Sequence, residues 1–293
     1  MTYRMIAIDL DGTLLSPDGS VSPKNKAAIR KVLNAGLLVC FATGRNWTES
    51  LTILDAVEHY DTAVFVGGAM VIDTRNGQTL HRTAMAPQLA RDVCGLIESL
   101  GHAALALQDT GEAGVDYLAS ADVELNEATQ NWMQVSTAQI RREPDLPHHP
   151  HEHTIRVGIV AAPDEVMRVK KAIKQRFGDR VLCQILYVPA YAVEVMEVFD
   201  PAVNKWEGVL HVARRRGVTP DQIVAIGDDV NDIPMIANAG LGVAMGNAKP
   251  DVMAAAKRVI KSNQEDGLAE FLDELVRTHL VEPAENPAAS ERE

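Results

Sequence analysis

Cysteine is scarce in this chain, and its spacing pairs none of it. Cys40, Cys94 and Cys183 are the three in 293 residues. An odd count with no CxxC pair excludes a disulfide scaffold and a thiolate zinc site, and reads as reduced, buried thiols. Long hydrophobic runs are missing too. The longest near-apolar stretch, Ala63–Ile72, has ten residues and two glycines, well short of the roughly 20 that span a bilayer. The apolar start, Met5–Ile8, runs straight into Asp9 and is too short for a secretory leader. Basic charge is in deficit: 28 Lys and Arg face 40 Asp and Glu, a formal net charge of -12. Nucleic acid and anionic membrane are therefore excluded as expected partners, because phosphate backbones demand a basic face. No internal repeat or low-complexity core is visible. These absences predict a soluble, cytoplasmic globular protein, and the sequence says nothing of its oligomeric state.

What is present points to an α/β fold. Hydrophobic residues make up 46% and charged residues 23%, which is enough apolar surface for one large or two modest domains. Met5–Ile8, Leu37–Ala42, Val64–Val66 and Ile223–Ile226 are continuous apolar runs, the pattern of strands buried on both faces. Helical patterns lie between them. Ser22-Pro23 supplies an N-cap and a first-turn proline before a face of Ala28, Ile29, Val32 and Leu33, and Gly36 closes it. Strand, helix, strand, helix with such strands predicts a parallel sheet. Gly242–Ala244 and Val259–Ile260 add short strand candidates, and Leu268–Val276 reads as a closing helix.

From about Ala86 the texture changes. An amphipathic helix from Leu89 to Leu100 precedes strand candidates at Ala103–Leu107 and Val115–Ala119, then a helix near Val123–Met133. Arg141–His153 reads as a loop. Thr154–Val160 is a strand and Pro163–Phe177 a helix stopped by Gly178. Val181–Val188 and Ala192–Phe199 then form a hairpin through Pro189-Ala190-Tyr191. The expected architecture is a Rossmann-like parallel-sheet core, residues 1–85 and 195–281, with an inserted α+β cap domain at 86–194. Residues 282–293, rich in Glu with two prolines in the tail, are expected to be disordered.

Three buried strands end in polar clusters: Asp9-Leu10-Asp11-Gly12-Thr13, Thr43-Gly44-Arg45, and Gly227-Asp228-Asp229-Val230-Asn231-Asp232. Ligands of open parallel sheets bind beyond the carboxyl ends of the strands, so clusters far apart in sequence can meet there. A lone DxD is weak evidence. Three such clusters in order suggest metal-assisted phosphoryl transfer. Asp9 and Asp228 are hard-oxygen ligands suited to Mg²⁺. Asp9 is the better nucleophile, able to form an aspartyl phosphate. Asp11 is placed to protonate the leaving oxygen and then to activate water, its carboxyl off the metal and only its backbone carbonyl on it. Gly12 permits the tight turn. Thr43 and the Gly44 N–H can bind phosphate near a helix start, and Lys205, at a helix start where the dipole disfavours a cation, makes sense beside an anion. A solvated surface lysine is the bland alternative.

Asp9-Leu10-Asp11-Gly12-Thr13-Leu14-Leu15, Thr43-Gly44-Arg45, Lys205 and Gly227-Asp228-x-x-Asn231-Asp232 closely resemble the four motifs of the haloacid dehalogenase-like superfamily. The Asp9/Asp11 pair resembles its phosphatase branch. The insertion, Gly246-Asn247-Ala248 and Asn263-x-x-Asp266-Gly267 resemble its Cof-like sugar phosphatases with a C2-type cap. The resemblance implies Asp9 as nucleophile and metal ligand, Asp11 as general acid/base, and Thr43 and Lys205 as phosphoryl-binding groups. It also implies Asp228 as a Mg²⁺ ligand and Asp232 on the metal's water shell or as a helix cap. Leu10, Gly44, Arg45, Asn231 and Asn247 become phosphate or substrate contacts, and Asp229 a supporting residue. The implied activity is hydrolysis of a small phosphorylated metabolite, a sugar phosphate above all. The alternatives are a phosphomutase of the same fold and a non-catalytic sugar-phosphate sensor.

The chain departs from that pattern at Gly67, where relatives often carry Asn, at Ala202, often Gly, and at Trp206, often small. These changes bear on the substrate pocket. His148, His149, His151 and His153 crowd one loop, where a metal site would need a Cys or carboxylate partner that the spacing lacks. Glu194 and Glu197 read as hinge or surface groups, and Lys170, Lys171, Lys174 and Arg176 as a solvated helix face.

Overall fold

A computed structural model describes residues 3–188 and 193–281. In chain order the strands are β1 (Met5–Ile8), β2 (Leu38–Phe41), β3 (Thr62–Phe65), β4 (Met70–Asp73), β5 (Gln78–Arg82), β6 (Leu105–Gln108) and β7 (Tyr117–Ser120). They continue as β8 (Ile140–Glu143), β9 (Thr154–Ala161), β10 (Leu182–Val188), β11 (Val193–Phe199), β12 (Ile223–Gly227), β13 (Leu241–Ala244) and β14 (Arg258–Val259). The helices are α1 (Pro23–Asn34), α2 (Trp47–Ala56), α3 (Pro87–Ser99), α4 (Thr110–Ala113), α5 (Glu127–Val135), α6 (Pro163–Phe177), α7 (Lys205–Arg215), α8 (Ile233–Asn238), α9 (Pro250–Ala255) and α10 (Gly267–Val281). No helix among the described residues is long and apolar enough to cross a membrane. Pro189-Ala190-Tyr191 and the tail 282–293 lie outside the described residues.

The chain forms two compact units. The first comprises the described parts of Met1–Thr43, Ile53–His59 and Val209–Glu293. Its five-stranded sheet has the order β14-β13-β12-β1-β2, parallel throughout. All four residues of β1 are 0% exposed, which is why that segment is apolar at every position rather than alternating. From β1 the chain goes to β2 on one side and later to β12 on the other. The carboxyl ends of β1 and β12 therefore flank the point where strand order reverses. Ser22 caps α1 by accepting from the Asn25 N–H at 3.1 Å, and Pro23 occupies the first turn, as expected. Leu33, placed on the buried face by the pattern, is 42% exposed.

The second unit comprises Gly44–Thr52 and the described parts of Tyr60–Gly208. It includes the segment expected as a cap and the residues before and after it. Val64–Val66, expected as a third strand of the parallel sheet, belongs elsewhere: β3 pairs antiparallel with β4, and β4 with β5, in a separate three-stranded sheet. The cause is the turn Val66–Gly68, where Gly67 and Gly68 take φ of +65° and +104° and send the chain back on itself. The run Ala63–Ile72 is thus two strands and a turn. A six-stranded mixed sheet, order β10-β11-β9-β6-β7-β8, forms the rest. Arg141–His153 is not all loop, since Ile140–Glu143 is the edge strand β8, parallel to β7. Its exposed arginines Arg141 and Arg142 suit an edge that must not pair further.

One face of this sheet packs α3 and α6, through Val93, Cys94 and Ile97 and through Val169 and Ile173, onto Val157, Ile159, Met196 and Val198. The period of two puts Arg156 and Glu197 on the other face. There Glu197, expected as a hinge or surface group, is 3% exposed and ion-pairs with Arg156, which is 7% exposed. Arg156 also donates to the Tyr117 hydroxyl at 2.9 Å and lies over the Phe199 ring. Burial raises the Glu197 pKa, opposed by Arg156. Removing one member leaves the other charge buried and unpaired, which costs about 3–5 kcal/mol, whereas replacing both by apolar groups does not. Glu197→Ala is expected to lower unfolding free energy by about that amount, and Arg156→Met with Glu197→Leu to recover most of it, as read by denaturant titration.

The histidine loop has a structural member. His151 is 0% exposed, with Nδ1 2.8 Å from Thr154 Oγ1 and Nε2 2.9 Å from the Leu146 carbonyl. Nε2 must carry the proton that faces the carbonyl, so Nδ1 accepts from Thr154, and neither nitrogen is left for a metal. Burial lowers the His151 pKa from 6.5 to about 4. Between those values the unfolded chain binds a proton that the folded chain does not, so this contribution is present above pH 6.5 and is lost as pH falls. The stability gap between wild type and His151→Gln should narrow as pH drops from 6.5 toward 4, measured by chemical unfolding at several pH values.

Candidate active site

The first unit places the acidic clusters side by side. Ile8 lies opposite Ile226 in the parallel register, and Asp9 N–H donates to the Ile226 carbonyl at 3.0 Å, so the residues that follow each strand emerge together. After Asp9 the chain makes one wide turn, closed by Leu14 N–H to Asp9 O at 3.3 Å and Leu15 N–H to Leu10 O at 2.9 Å. Gly12 takes φ +77° there, and a Cβ on it would lie 2.2 Å from Asp228 Oδ2. Only glycine fits both the turn and the close approach of the two loops. The turn buries the Leu10 side chain completely and leaves Asp11 exposed, so Leu10 can serve a ligand only through its backbone.

Carboxylate oxygens of Asp9, Asp228 and Asp232 lie within 4.8 Å of one another. Asp9 is 4% and Asp232 0% exposed, while Asp228 is half-buried. Asp232 Oδ2 accepts from the backbone N–H groups of Asp228 at 3.0 Å and Asp229 at 3.1 Å. It is therefore a cap that organises the loop as well as a member of the cluster. A Cβ on Gly227 would strike it at 2.4 Å. Asp228 accepts from Thr13 Oγ1 at 3.2 Å and Asn247 Nδ2 at 3.4 Å. Asn247 also donates to the Gly12 carbonyl at 2.9 Å and accepts from Asn263 N–H at 3.0 Å. Asn263 in turn reaches the Leu15 carbonyl at 2.8 Å. Asn247, expected to contact substrate, thus ties both acidic loops to the C-terminal segment. Lys249 pairs with Asp229 at 2.6 Å, outside the cluster.

An oxygen-only donor set of this kind fits a hard divalent cation. Asn231 Oδ1, buried and without a hydrogen-bond partner among the described residues, fits the same reading, because such an atom calls for a water, ion or ligand. The Asp11 carboxylate is not one of the three. Thr13, Lys249 and the link from Asn263 to Asn247 were not singled out by sequence. Their signal is a tertiary contact, invisible in residue spacing.

Thr43, after β2, is 1% exposed. The other candidates belong to the second unit. Asn46, unnoticed in the sequence, caps α2 by accepting from Glu49 N–H at 2.8 Å, just after the half-buried Gly44 and Arg45. The Arg45 carbonyl takes the N–H of Val66, a β-branched residue held at φ 54°. Lys205 opens α7 and is 1% exposed, which rules out a solvated surface lysine. Asn204 before it accepts from Glu207 N–H at 3.1 Å. A Cβ on Gly68 would lie 1.9 Å from the Asn204 carbonyl, so that glycine lets the two segments touch. At Gly67 a Cβ would meet only Gln184 Oε1, at 3.9 Å. Trp206 is 8% exposed and so belongs to the core.

Comparison with known proteins agrees with this geometry. The family model for haloacid dehalogenase-like hydrolases matches residues 6–272. An HMP-PP phosphatase of Serratia proteamaculans is 26% identical over 280 residues, covering 94% of this chain and 96% of its own. The 5-amino-6-(5-phospho-D-ribitylamino)uracil phosphatase YitU of Bacillus subtilis is 28% identical over 275 residues, 92% and 96% of the two chains. The crystal structure of TM0651 from Thermotoga maritima superposes with a TM-score of 0.78 at 26% identity, covering 93% of this chain and 97% of that one. A subclass IIB sugar phosphatase, BT4131, shares the fold with a TM-score of 0.73 at 21% identity, over 92% and 98% of the chains. The chain belongs to the haloacid dehalogenase-like hydrolases. Within them it is of the Cof type, a phosphoric monoester hydrolase.

Residues that orient metal-binding carboxylates typically change metal affinity by about 10- to 100-fold when removed. Asn247→Ala is therefore expected to weaken Mg²⁺ binding by at least about tenfold, measured by calorimetry without substrate. An unchanged affinity would show that Asn247 does not position Asp228 for the cation.

Proposed function

We propose that this chain hydrolyses a small phosphorylated metabolite with Mg²⁺ through an aspartyl phosphate on Asp9. The observation that carries the reading is the convergence of Asp9, Asp228 and Asp232 beside the strand-order reversal, with the exposed carboxyl of Asp11 two residues beyond Asp9. Asp9 attacks phosphorus, the bond from phosphorus to the ester oxygen breaks, and Asp11 gives that oxygen its proton. Asp11, now ionised, takes a proton from water, whose oxygen attacks the aspartyl phosphate. Inorganic phosphate leaves, and Asp9 and protonated Asp11 return. Mg²⁺, held by Asp9, Asp228 and the backbone carbonyl of Asp11, would offset negative charge on the transferring group. Asp232 keeps the Asp228 loop in place and can orient bound water.

We assign Thr43, the Gly44 N–H and Lys205 to the phosphoryl oxygens, supported by the burial of Thr43 and Lys205 and by the family pattern. Leu10, through its backbone, and Asn231 complete the phosphate contacts, and Arg45 a second anionic or carbonyl group. The division into a catalytic core at 1–85 and 195–281 and a substrate-selecting cap at 86–194 is part of the same proposal. For the substrate we take a phosphate ester on a sugar or sugar-like chain. The Bacillus relative's substrate carries its phosphate on a ribityl chain and a uracil ring beyond it, so a sugar phosphate and a ring-bearing one are compatible.

Asp9→Asn is expected to abolish release of phosphate from p-nitrophenyl phosphate while leaving the unfolding midpoint near wild type. Asp11→Asn should lower turnover by about 10²–10⁴-fold, the range for a lost general acid/base. Phosphate release without an added acceptor separates the hydrolase from a phosphomutase, and any Mg²⁺-dependent turnover excludes a sensor.

A further inference from the structure

A cavity of the second unit shares only Arg45 with the residues given a role above. Two helical stripes line it: Thr48, Leu51 and Thr52 on α2, and Ala128, Trp132 and Val135 on α5. Their spacings, i, i+3, i+4 and i, i+4, i+7, are those of single helix faces. Such faces ordinarily interdigitate, but here about 670 Å³ of open volume is left, inside the roughly 300–1,000 Å³ range of small-molecule sites. Leu51 and Val135 stay 37% and 54% exposed on its walls. An apolar lining that neither packs nor turns away from water suits an apolar occupant.

The walls are fixed by the buried network. The Trp132 indole stands edge-to-face on Tyr117, centroids 5.2 Å apart at 85°, and the Tyr117 hydroxyl takes a hydrogen bond from Arg156. Thr48 is held by Asp116 at 2.7 Å. Polar groups also line the cavity. Glu49 accepts from the Ser136 hydroxyl at 3.3 Å and has further acceptor capacity, and Arg45 also lines the cavity.

We propose that this cavity binds a planar, unsaturated ring carrying an N–H donor, with the ring against Trp132 and the aliphatic side chains Leu51 and Val135, and the N–H given to Glu49. A saturated sugar offers no π-face to the indole, and a ring without a donor leaves the carboxylate unanswered. The ring can belong to the leaving group of the phosphorylated substrate, a source that rests on the phosphatase reading, or to a separate effector. The chemistry of recognition is the same.

The test is calorimetry on the full chain with phosphate-free probes: 2-pyridone, N-methyl-2-pyridone and glucose at millimolar concentration. 2-Pyridone is expected to bind, its N-methyl form about tenfold more weakly, and glucose not measurably. Trp132→Ala should weaken 2-pyridone about tenfold, the scale of a lost stacking contact. Val135→Lys, at an exposed position that does not threaten folding, should do the same by blocking the cavity. Glu49→Gln should bring the two pyridones closer in affinity. Equal binding of glucose and 2-pyridone, no binding of 2-pyridone, or affinity unchanged by both Trp132→Ala and Val135→Lys would overturn the proposal. Turnover of p-nitrophenyl phosphate with added 2-pyridone then separates the sources. Competitive inhibition assigns the ring to the substrate, and a change in maximal rate alone to an effector. A wild-type chain that binds 2-pyridone but releases no phosphate would sink the phosphatase reading and leave the cavity assignment standing.

Discussion

Mutual repulsion among Asp9, Asp228 and Asp232 is the constraint on which the first unit depends. At an effective dielectric of about 20, two ionised carboxylates near 5 Å repel by about 3 kcal/mol. Three carboxylates that each bring an oxygen within 4.8 Å of the others form a set that a divalent cation would draw together, turning repulsion into ligation. The surrounding sequence serves that closeness. Gly12 and Gly227 remove the Cβ atoms that would collide with Asp228 and Asp232, and two backbone amides hold Asp232 while Thr13 and Asn247 hold Asp228.

The second unit solves the same electrostatic problem differently. Glu197 is 3% exposed and is paired with Arg156, with Tyr117 satisfying another guanidinium hydrogen. A carboxylate with a fixed cationic partner is internally compensated and organises the sheet. The Arg156 network also positions Tyr117 and, through it, the Trp132 indole on the cavity wall.

Legibility in the sequence followed the range of each signal. Helix α6 was readable to the residue because proline at its start, glycine at its end and an apolar stripe are all local. The carboxylate loops were readable because a continuous apolar strand followed by aspartate implies the sheet's carboxyl edge. The run Ala63–Ile72 misled because an apolar run carries no direction. The reversal lives in the positive φ of Gly67 and Gly68, which glycine permits but does not announce. Glu197 misled because an acidic residue on a strand looks solvated until its cross-strand cation is known, and Arg156 lies about forty residues away in sequence. Likewise, the histidine cluster gives no hint that His151 is enclosed by Thr154 and the Leu146 carbonyl. Asn247 and Asn263 could be found as part of a resemblance, but their hydrogen bonds to the acidic loops are tertiary facts.

The net charge of -12 looks ill suited to an anionic substrate only while charge is summed over the molecule. Screening at physiological salt limits an exposed charge to about 8 Å, so distant carboxylates count little at a site. Many of those on the first unit are also paired where they stand, as in Lys24 with Asp266, Lys31 with Asp273, Arg258 with Glu274 and Lys261 with Glu270. A cation bound by a small set of buried carboxylates, being little screened, sets the local field instead. The acidity that matters for phosphate is the part that holds the cation. Were a cation bound there, a small phosphate ester would be governed by the field within a few ångströms of it rather than by the net charge.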